Sequence, residues 1–295
     1  MGKKGTLSDI AMYNRKTDEC IFTFMSPVEE KLAAKSQIIS VIDAAIVVFS
    51  QMTRELGETI LMLDLLGVRE GIAVKTLYAP VDKISAITGE TALKSYGLEE
   101  RDPVKLLDRL REIKPARNND SPCLIVIDHS FSVKGVGEVA LGFIKTGVVK
   151  KYDTLNLVPA GKEVTVRSIQ VQDEDMESAD AGTRVGLAIK GASVDELERG
   201  SVLTNSGSAN VTSKCRLAFS KSQFYSEEIK EGTFHMTVGM QTVPVLLSDL
   251  QPNSIVIGSA KTFVSYPQTS AILLDLNAKK TRVMGRGTFE DNLGP

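Results

Sequence analysis

The chain has 295 residues, of which 42% are hydrophobic and 24% charged, and this composition excludes an intrinsically disordered protein. Lys and Arg number 35 against 37 Asp and Glu, so any contact with nucleic acid must come from a local basic patch. Three scattered cysteines and two histidines exclude a disulfide framework and the usual zinc sites, and no metal site is expected. No apolar run has the length of a membrane span and no signal segment opens the chain, which predicts a cytoplasmic protein without membrane contact.

Residues 1–116 predict an α/β domain. Two apolar runs, residues 44–49 (AAIVVF) and 72–74, are typical of buried parallel strands. Thr53 can cap a helix between them, and Gly67 suits the end of that helix. Its apolar positions fall at three- and four-residue steps: Leu56, Ile60, Leu63 and Leu66. Two further amphipathic helices are predicted over residues 29–43 and 102–113, the second capped by Asp102 and opened by Pro103.

Residues 114–122 (KPARNNDSP) predict a linker, after which the pattern becomes one of strands alone. Short apolar alternations recur at intervals of roughly ten residues, as in closed or sandwiched antiparallel sheets. We predict two antiparallel β units, residues 117–206 and 207–295, divided at 204–210 (TNSGSAN). The predicted strands are 124–127, 138–144, 163–171, 183–189, 214–219, 233–238, 242–247, 254–263 and 271–276. A short helix is predicted over 194–199.

The first β unit contains a series of glycine-marked motifs in a fixed order. Residues 128–142 (DHSFSVKGVGEVALG) are followed by 147–150 (GVVK), the pair Ala181-Gly182, and 198–203 (ERGSVL). This series resembles the second domain of the elongation factor Tu class, and the glycines permit the tight turns and close backbone approaches that a barrel requires. Residues 232–245 (GTFHMTVGMQTVPV) resemble the third domain of that class, most closely in its selenocysteine-specific and archaeal-type branches.

The resemblance to translational GTPases implies a fold: a degenerate P-loop GTPase-like α/β domain followed by two antiparallel β-barrels. The nucleotide motifs of that family are mostly absent. No phosphate loop of the form G-x4-G-K-S/T is present, and residues 2–6 (GKKGT) have its residue types in the wrong order. Ala11 stands where the family has a threonine that reaches magnesium, Met25 replaces an aspartate of the second switch, and residues 75–78 (KTLY) replace the guanine-reading motif. We therefore expect no cofactor; GTP and magnesium would bind only if the degenerate domain is still competent.

Two sets of residues still match functional positions of the family. Thr91, Ala92 and Leu93 stand where the family contacts guanine and form a nucleotide-binding remnant. The equivalents of the pocket for the aminoacylated end of tRNA include a serine where the family has a glutamate: Gly147, Val148, Val149, Glu177 and Ser178.

RNA phosphates require Lys or Arg side chains on one face. The candidates are Lys134, Lys145, Lys150, Lys151 and Arg184 in the first β unit and Lys279, Lys280, Arg282 and Arg286 in the second. Scattered solvated charges explain these residues equally well. Three hypotheses stay open: a GTP-independent protein that binds tRNA or the ribosome, a pseudo-GTPase scaffold for another translation protein, and a divergent GTP-binding elongation factor. The sequence specifies no oligomeric state.

Overall fold

The computed structural model describes residues 4–6, 9–77, 79 and 81–292. Gly2, Lys3 and Tyr78 of the motifs above lie outside these residues. An N-terminal α/β unit is followed by two closed antiparallel β-barrels of six strands, which confirms the predicted fold class. We call the parts the α/β unit (residues 4–112), the first barrel (124–204) and the second barrel (210–292).

The strands of the α/β unit form two separate sheets. The antiparallel sheet has the order β1-β2-β3, formed by β1 (Lys4–Thr6), β2 (Ile10–Lys16) and β3 (Ile21–Pro27). The parallel sheet has the order β4-β5-β6, formed by β4 (Ala45–Phe49), β5 (Gly71–Lys75) and β6 (Gly97–Glu100). No pairing between described residues joins the two sheets.

The helices of the α/β unit are α1 (Leu32–Val41), α2 (Arg54–Leu65), α3 (Val81–Gly89), a 3-10 helix (Ala92–Ser95) and α4 (Pro103–Glu112). The predicted caps are confirmed, since Thr53 Oγ1 accepts from the Leu56 amide at 3.2 Å and Asp102 accepts from Val104 at 3.0 Å. Gly67 follows α2 with φ at +69°, a conformation that favours glycine.

The prediction that both apolar runs form strands buried on both faces holds for β5 and is wrong for β4. Val47 and Phe49 are buried, but Ile46 and Val48 on the opposite face of β4 are 38% and 49% exposed. The physical reason is position, because β4 ends its sheet and no described strand lies beyond it. Elements absent from the sequence prediction are β1 to β3, β6 and α3.

Residues 113–123 contain neither helix nor strand, as the linker prediction requires. They are nevertheless fixed in place. Arg117 makes two hydrogen bonds to the Asp43 carboxylate, at 2.8 and 2.9 Å, and the Asn118 carbonyl accepts from Gly147 at 2.7 Å. The linker therefore ties the C-terminal end of α1 to the first barrel.

The first barrel closes through the ladder β10-β15-β7-β8-β14-β11, whose end strands β10 and β11 also pair. Its strands are β7 (Leu124–Val133), β8 (Gly137–Thr146), β9 (Val148–Lys150), β10 (Thr154–Val158), β11 (Lys162–Val171), β12 (Glu174–Met176), β13 (Ser178–Asp180), β14 (Arg184–Lys190) and β15 (Val202–Thr204). All four strands predicted here are confirmed. The short helix predicted over 194–199 is confirmed in part, because a 3-10 helix forms over Val194–Glu196 and ends three residues earlier than predicted.

The second barrel closes in the order β16-β19-β18-β17-β20-β21. Its strands are β16 (Asn210–Lys221), β17 (Gly232–Val238), β18 (Gln241–Gln251), β19 (Ser254–Ser265), β20 (Ser270–Leu274) and β21 (Val283–Asn292). The five predicted strands are confirmed, and β21 completes the barrel.

One hydrophobic cluster, which we call the junction core, joins all three parts. Its buried members are Ile10, Met12, Ala34, Ile38 and Val41 from the α/β unit, Leu124, Val126 and Val202 from the first barrel, and Met240 and Val264 from the second. Each part therefore buries apolar surface against the other two.

Candidate functional site

The predicted nucleotide remnant is packed into the α/β unit. Ala92 and Leu93 have buried side chains, and Leu93 belongs to the hydrophobic core that includes α2. The Ala92 amide donates to the Asp64 carboxylate at 2.7 Å, and Thr91 Oγ1 donates to the Ile87 carbonyl at 3.1 Å. The first bond holds the 3-10 helix to α2 and the second holds Thr91 to α3, and the side chains of Ala92 and Leu93 do not reach the surface.

The other nucleotide-motif positions offer few ligands. Ala11 is a buried β2 residue opposite Ser26, and Met25 on β3 carries no oxygen in its side chain. Lys75, in the position of the guanine motif, lies 3.6 Å from the Glu100 carboxylate. Within the described part of the chain, no group of three or more His, Cys, Asp or Glu side chains could hold a metal ion.

The structure brings together the two segments predicted to form the aminoacyl-end pocket, although they are far apart in the sequence. Strands β9 and β13 pair antiparallel, with Ser178 opposite Lys150 and Asp180 opposite Val148. Gly147 begins this element with φ at +73°, and a Cβ there would lie 2.6 Å from the backbone of Cys123. Only glycine fits this close approach between the β9 turn and the linker.

The side chains of these pocket candidates differ in their surroundings. Val149 is fully buried in the core of the first barrel, and Val148 and Ser178 are half-buried. The Glu177 carboxylate is exposed and lies 3.4 Å from Lys151 Nζ, and the nearby negative charge raises the pKa of Lys151. Lys150 is exposed beside this pair and has no ion-pair partner among the described residues.

A cavity of about 1530 Å³ separates this element from the α/β unit. We call it the inter-unit cavity. The first barrel contributes Phe143, Met176, Ser178 and Asp180 to its wall, and the α/β unit contributes β3, β4 and the C-terminal half of α1. Both walls of the cavity combine apolar and polar side chains.

The basic candidates do not form one continuous patch. Lys134 lies in the turn between β7 and β8, whereas Lys150 and Lys151 follow the far end of β8. Ten residues of β8 place those two ends roughly 33 Å apart. Lys279 and Lys280 lie in the connection from β20 to β21 in the second barrel, and both are exposed.

Arg282 is engaged by a carboxylate of the α/β unit. Its guanidinium makes a bidentate contact with Glu58 on α2, at 2.5 and 3.0 Å, and its amide donates to the same carboxylate at 2.8 Å. Glu58 is 1% exposed and also accepts from Arg54. Burial alone would raise the pKa of Glu58, but the hydrogen bonds and charge of Arg282 outweigh it and hold that pKa below its ordinary value. The Arg282 guanidinium thus serves the contact between α2 and the second barrel.

Three other basic candidates also have partners within the protein. Lys145 Nζ donates to the Val41 carbonyl at 3.0 Å, and burial lowers its pKa. Arg184 forms a bidentate pair with the buried carboxylate of Asp128, at 2.7 and 3.0 Å. Arg286 is exposed and donates to Ser270 Oγ at 2.9 Å. Among the basic candidates, the exposed lysines without an ion pair in the described structure are Lys134, Lys150, Lys279 and Lys280.

Sequence reasoning missed one bridging pair altogether. Arg199, part of the Glu-Arg-Gly motif, donates twice to the Asp9 carboxylate at 2.9 Å and once to Gln37 at 3.2 Å. The hydrogen bond from Arg199 holds the pKa of Asp9 below its ordinary value. An arginine in a barrel motif and an aspartate just before β2 gave no local signal of their pairing.

An α/β unit with two closed barrels, joined through a common core, defines a protein of the three-domain translation-factor class. The model of elongation factor Tu domain 2 matches residues 137–204. An uncharacterized protein of Methanocaldococcus jannaschii is 33% identical over 290 residues, which cover 97% of this chain and 94% of that protein. The chain belongs to the translational GTPase elongation factor family.

The similarity extends to selenocysteine-specific factors. The selenocysteine-specific elongation factor of Methanocaldococcus jannaschii is 35% identical over 167 residues, which are 56% of this chain but only 34% of that protein. Among solved structures, the elongation factor SelB of Methanococcus maripaludis with the GTP analogue GPPNHP shares the fold with a TM-score of 0.82 at 22% identity. That likeness covers 97% of this chain and 74% of SelB. A bacterial selenocysteine-specific elongation factor shares the fold with a TM-score of 0.75 at 18% identity. That likeness covers 94% of this chain and 51% of the bacterial factor.

None of the helices among residues 4–6, 9–77, 79 and 81–292 is long and apolar enough to cross a membrane.

Proposed function

We propose that this translation-factor-like protein works in the cytoplasm and binds tRNA or the ribosome through its barrels, without binding or hydrolysing GTP. The observation that supports it most is the element formed by β9 and β13. It pairs Lys150, which is exposed, with Ser178, a residue that lines the inter-unit cavity. A positive charge beside a hydroxyl group at the wall of a cavity suits a phosphate-bearing end of RNA.

The proposed loss of GTP binding follows from the side chains at the nucleotide-motif positions. Ala11 and Met25 supply no oxygen ligand for magnesium, and Ala92 and Leu93 are buried. A nucleoside triphosphate needs backbone amides, a lysine and a hydroxyl around its phosphates, and the sequence contains no phosphate-loop motif that would supply them. Calorimetric titration with GTP, GDP and magnesium at millimolar concentration tests this part. We expect no heat, and saturable binding would instead favour a divergent GTP-binding factor.

Filter binding of tRNA and co-sedimentation with ribosomes at low salt test the RNA part. Lys150→Ala should weaken tRNA binding and reduce the slope of log affinity against log salt by about one, since one phosphate contact is lost. The matched control is Lys261→Ala, which removes an exposed lysine from the second barrel. The proposal would be contradicted if wild type and both variants bound tRNA with equal affinity and if that affinity did not depend on salt.

A pseudo-GTPase scaffold is the second candidate, because the exposed lysines are dispersed and the net charge is only −2. A neutral surface with separated charges suits a protein partner better than a long stretch of RNA. Pull-down of translation proteins before and after RNase treatment separates the two. Association that survives RNase favours the scaffold, and association that RNase abolishes favours RNA binding.

A further inference from the structure

Two free strand edges face the same cavity. Within the described residues, β3 pairs with β2 alone and β4 pairs with β5 alone, so each strand ends its sheet. Both strands line the inter-unit cavity, β3 from Ile21 to Pro27 and β4 from Ala45 to Val48. We call the space between these two edges the strand slot. Backbone N–H and C=O groups on the outer side of each strand point away from its paired neighbour and have no strand partner.

Neither edge carries the features that usually protect a free edge. Charged residues, a central proline or a β-bulge prevent pairing with another chain. The sequences IFTFMSP of β3 and AIVVF of β4 contain no charged residue, and the one proline, Pro27, is the last residue of β3. Their pairing with β2 and β5 is free of register shifts. Three side chains on these strands are exposed apolar groups, namely Ile21, Ile46 and Val48.

Apolar side chains also line the slot from two different helices. From α1 and its end come Ile38 and Ile42, and from α4 and its end come Leu110 and Ile113. The α1 residue Ile39 packs in the cluster of Val47 and Phe49, whereas Ile46 and Val48 point to the opposite face of β4. A strand lying in the slot would therefore bury both rows of its side chains, which calls for a continuous apolar run rather than an alternating one.

Three of the charged side chains beside the slot are cations already paired within the protein, whereas Lys114, Asp18, Glu19 and Glu55 line the cavity without an ion pair among the described residues. Lys16 lies 2.5 Å from Glu174 of the first barrel, Arg117 binds Asp43, and Lys35 pairs with Glu30. The two strands that form the slot contribute no charged side chain of their own. A charged peptide or a nucleic acid would lose its hydration between these strands without gaining a counter-charge from them.

We propose that the strand slot binds an extended, uncharged, apolar segment of a partner polypeptide. The segment pairs with β3 along one side and with β4 along the other, which joins the two sheets of the α/β unit into one. The edges of seven and five residues accommodate a segment of roughly 17–23 Å in extended conformation. This binding is separate from RNA binding by the barrels and does not rest on it.

The experiment uses the full chain and a fluorescent synthetic peptide with the run Val-Ile-Val-Val-Ile between Ser and Gly residues. Its control peptide has Pro at the central position, which removes a backbone donor and disfavours pairing on both sides. The protein variant Val48→Asp places a charge in the slot, and Leu276→Asp places the same charge at an equally exposed site of the second barrel (49% and 46% exposed). Hydrogen exchange of the β3 and β4 amides is followed alongside peptide anisotropy.

We expect the apolar peptide to bind and to protect the amides of both β3 and β4. Proline in the peptide, or Val48→Asp in the protein, should weaken binding by more than about tenfold, because each leaves buried polar groups unpaired. Leu276→Asp should bind as wild type. The proline control leaves the protein unchanged, so its result stands even if Val48→Asp disturbs the fold.

Several outcomes would overturn the proposal: no peptide binding, equal binding of the proline peptide, protection of neither strand, or displacement of the peptide by tRNA. Sedimentation of the protein without peptide supplies one further outcome that would overturn the proposal. A dimer that forms with rising concentration and is lost in Val48→Asp would assign the slot to a second copy of this chain instead of a partner.

Discussion

The α/β unit presents two contrasting sides. Toward the barrels it buries the Glu58–Arg282 pair, the Asp9–Arg199 pair and the Ser36–Thr237 hydroxyl contact at 2.7 Å. Along the inter-unit cavity it leaves the edges of β3 and β4 unpaired among the described residues and exposes Ile46 and Val48. We call the side in direct contact with the barrels the closed side and the side along the inter-unit cavity the open side. The contrast indicates that the closed side determines stability, whereas the open side is available for binding. Substitutions on the two sides should therefore differ in kind.

The largest expected effect is that of Glu58→Ala on the closed side. Removing this carboxylate leaves Arg282 partly buried without its counter-charge, which should lower the free energy of unfolding by about 3–5 kcal/mol. Urea denaturation at neutral pH measures it. The control is Glu90→Ala at an exposed position, whose free energy of unfolding should stay within about 0.5 kcal/mol of wild type. If both variants unfold alike, the pair does not hold α2 to the second barrel.

Asp9→Ala should have the next largest effect. Loss of this carboxylate removes two charge-assisted hydrogen bonds from Arg199. The free energy of unfolding should fall by about 1.5–3 kcal/mol, toward the lower end because both groups are about a quarter exposed. The same urea series measures it, with the exposed Asp18→Ala in the hairpin turn as control. A destabilisation no greater than that of Asp18→Ala would show that this contact is dispensable.

Acid should weaken the closed side through the same carboxylates. The pKa values of Glu58 and Asp9 are lowered in the folded protein from their usual 4.5 and 3.8. Their contribution is therefore complete above those usual values and is lost as the pH falls through the lower folded values. The loss should be smaller than that of Glu58→Ala, since a protonated carboxyl keeps its volume and part of its hydrogen bonding. Urea midpoints from pH 7 to pH 3 should fall less in the double variant Glu58→Gln, Asp9→Asn than in wild type; parallel curves would refute the linkage.

The smallest effect on stability belongs to the open side. Val48→Asp changes a half-exposed side chain, so the free energy of unfolding should stay within about 0.5 kcal/mol of wild type. Thermal unfolding followed by circular dichroism checks it. A large destabilisation would mean that Val48 is already packed in solution, and the contrast between the two sides would be lost.

Local patterns in the sequence predicted much of the fold. The caps Thr53 and Asp102 marked helix starts, and alternation marked most barrel strands. Strand β6, with the sequence GLEE, was missed because two of its four residues are acidic and its pairing with β5 is not a local property. The exposed face of β4 was missed for a related reason, because an apolar run does not reveal whether a neighbouring strand exists.

The candidate site was predicted in part. The resemblance to the family pointed to Gly147 and Ser178 as parts of one pocket, and the structure pairs β9, which follows Gly147, with β13, which begins at Ser178. Arg282 was a candidate for RNA phosphates, yet its partner Glu58 lies 224 residues earlier, in a helix known only by its apolar stripe. Ion pairs between residues so far apart in the sequence depend on how whole domains pack together, and local sequence patterns do not predict that packing.

The junction core has a consequence for the integrity of the chain. Leu124, Val126, Met240 and Val264 are barrel residues that are buried in one cluster with Ile10, Ala34 and Ile38 of the α/β unit. A protease that cut the exposed linker would leave the two fragments associated, because both would still contribute buried side chains to the junction core. Whether or not the α/β unit binds a nucleotide, the two barrels depend on it to cover the apolar surface that they contribute to the junction core.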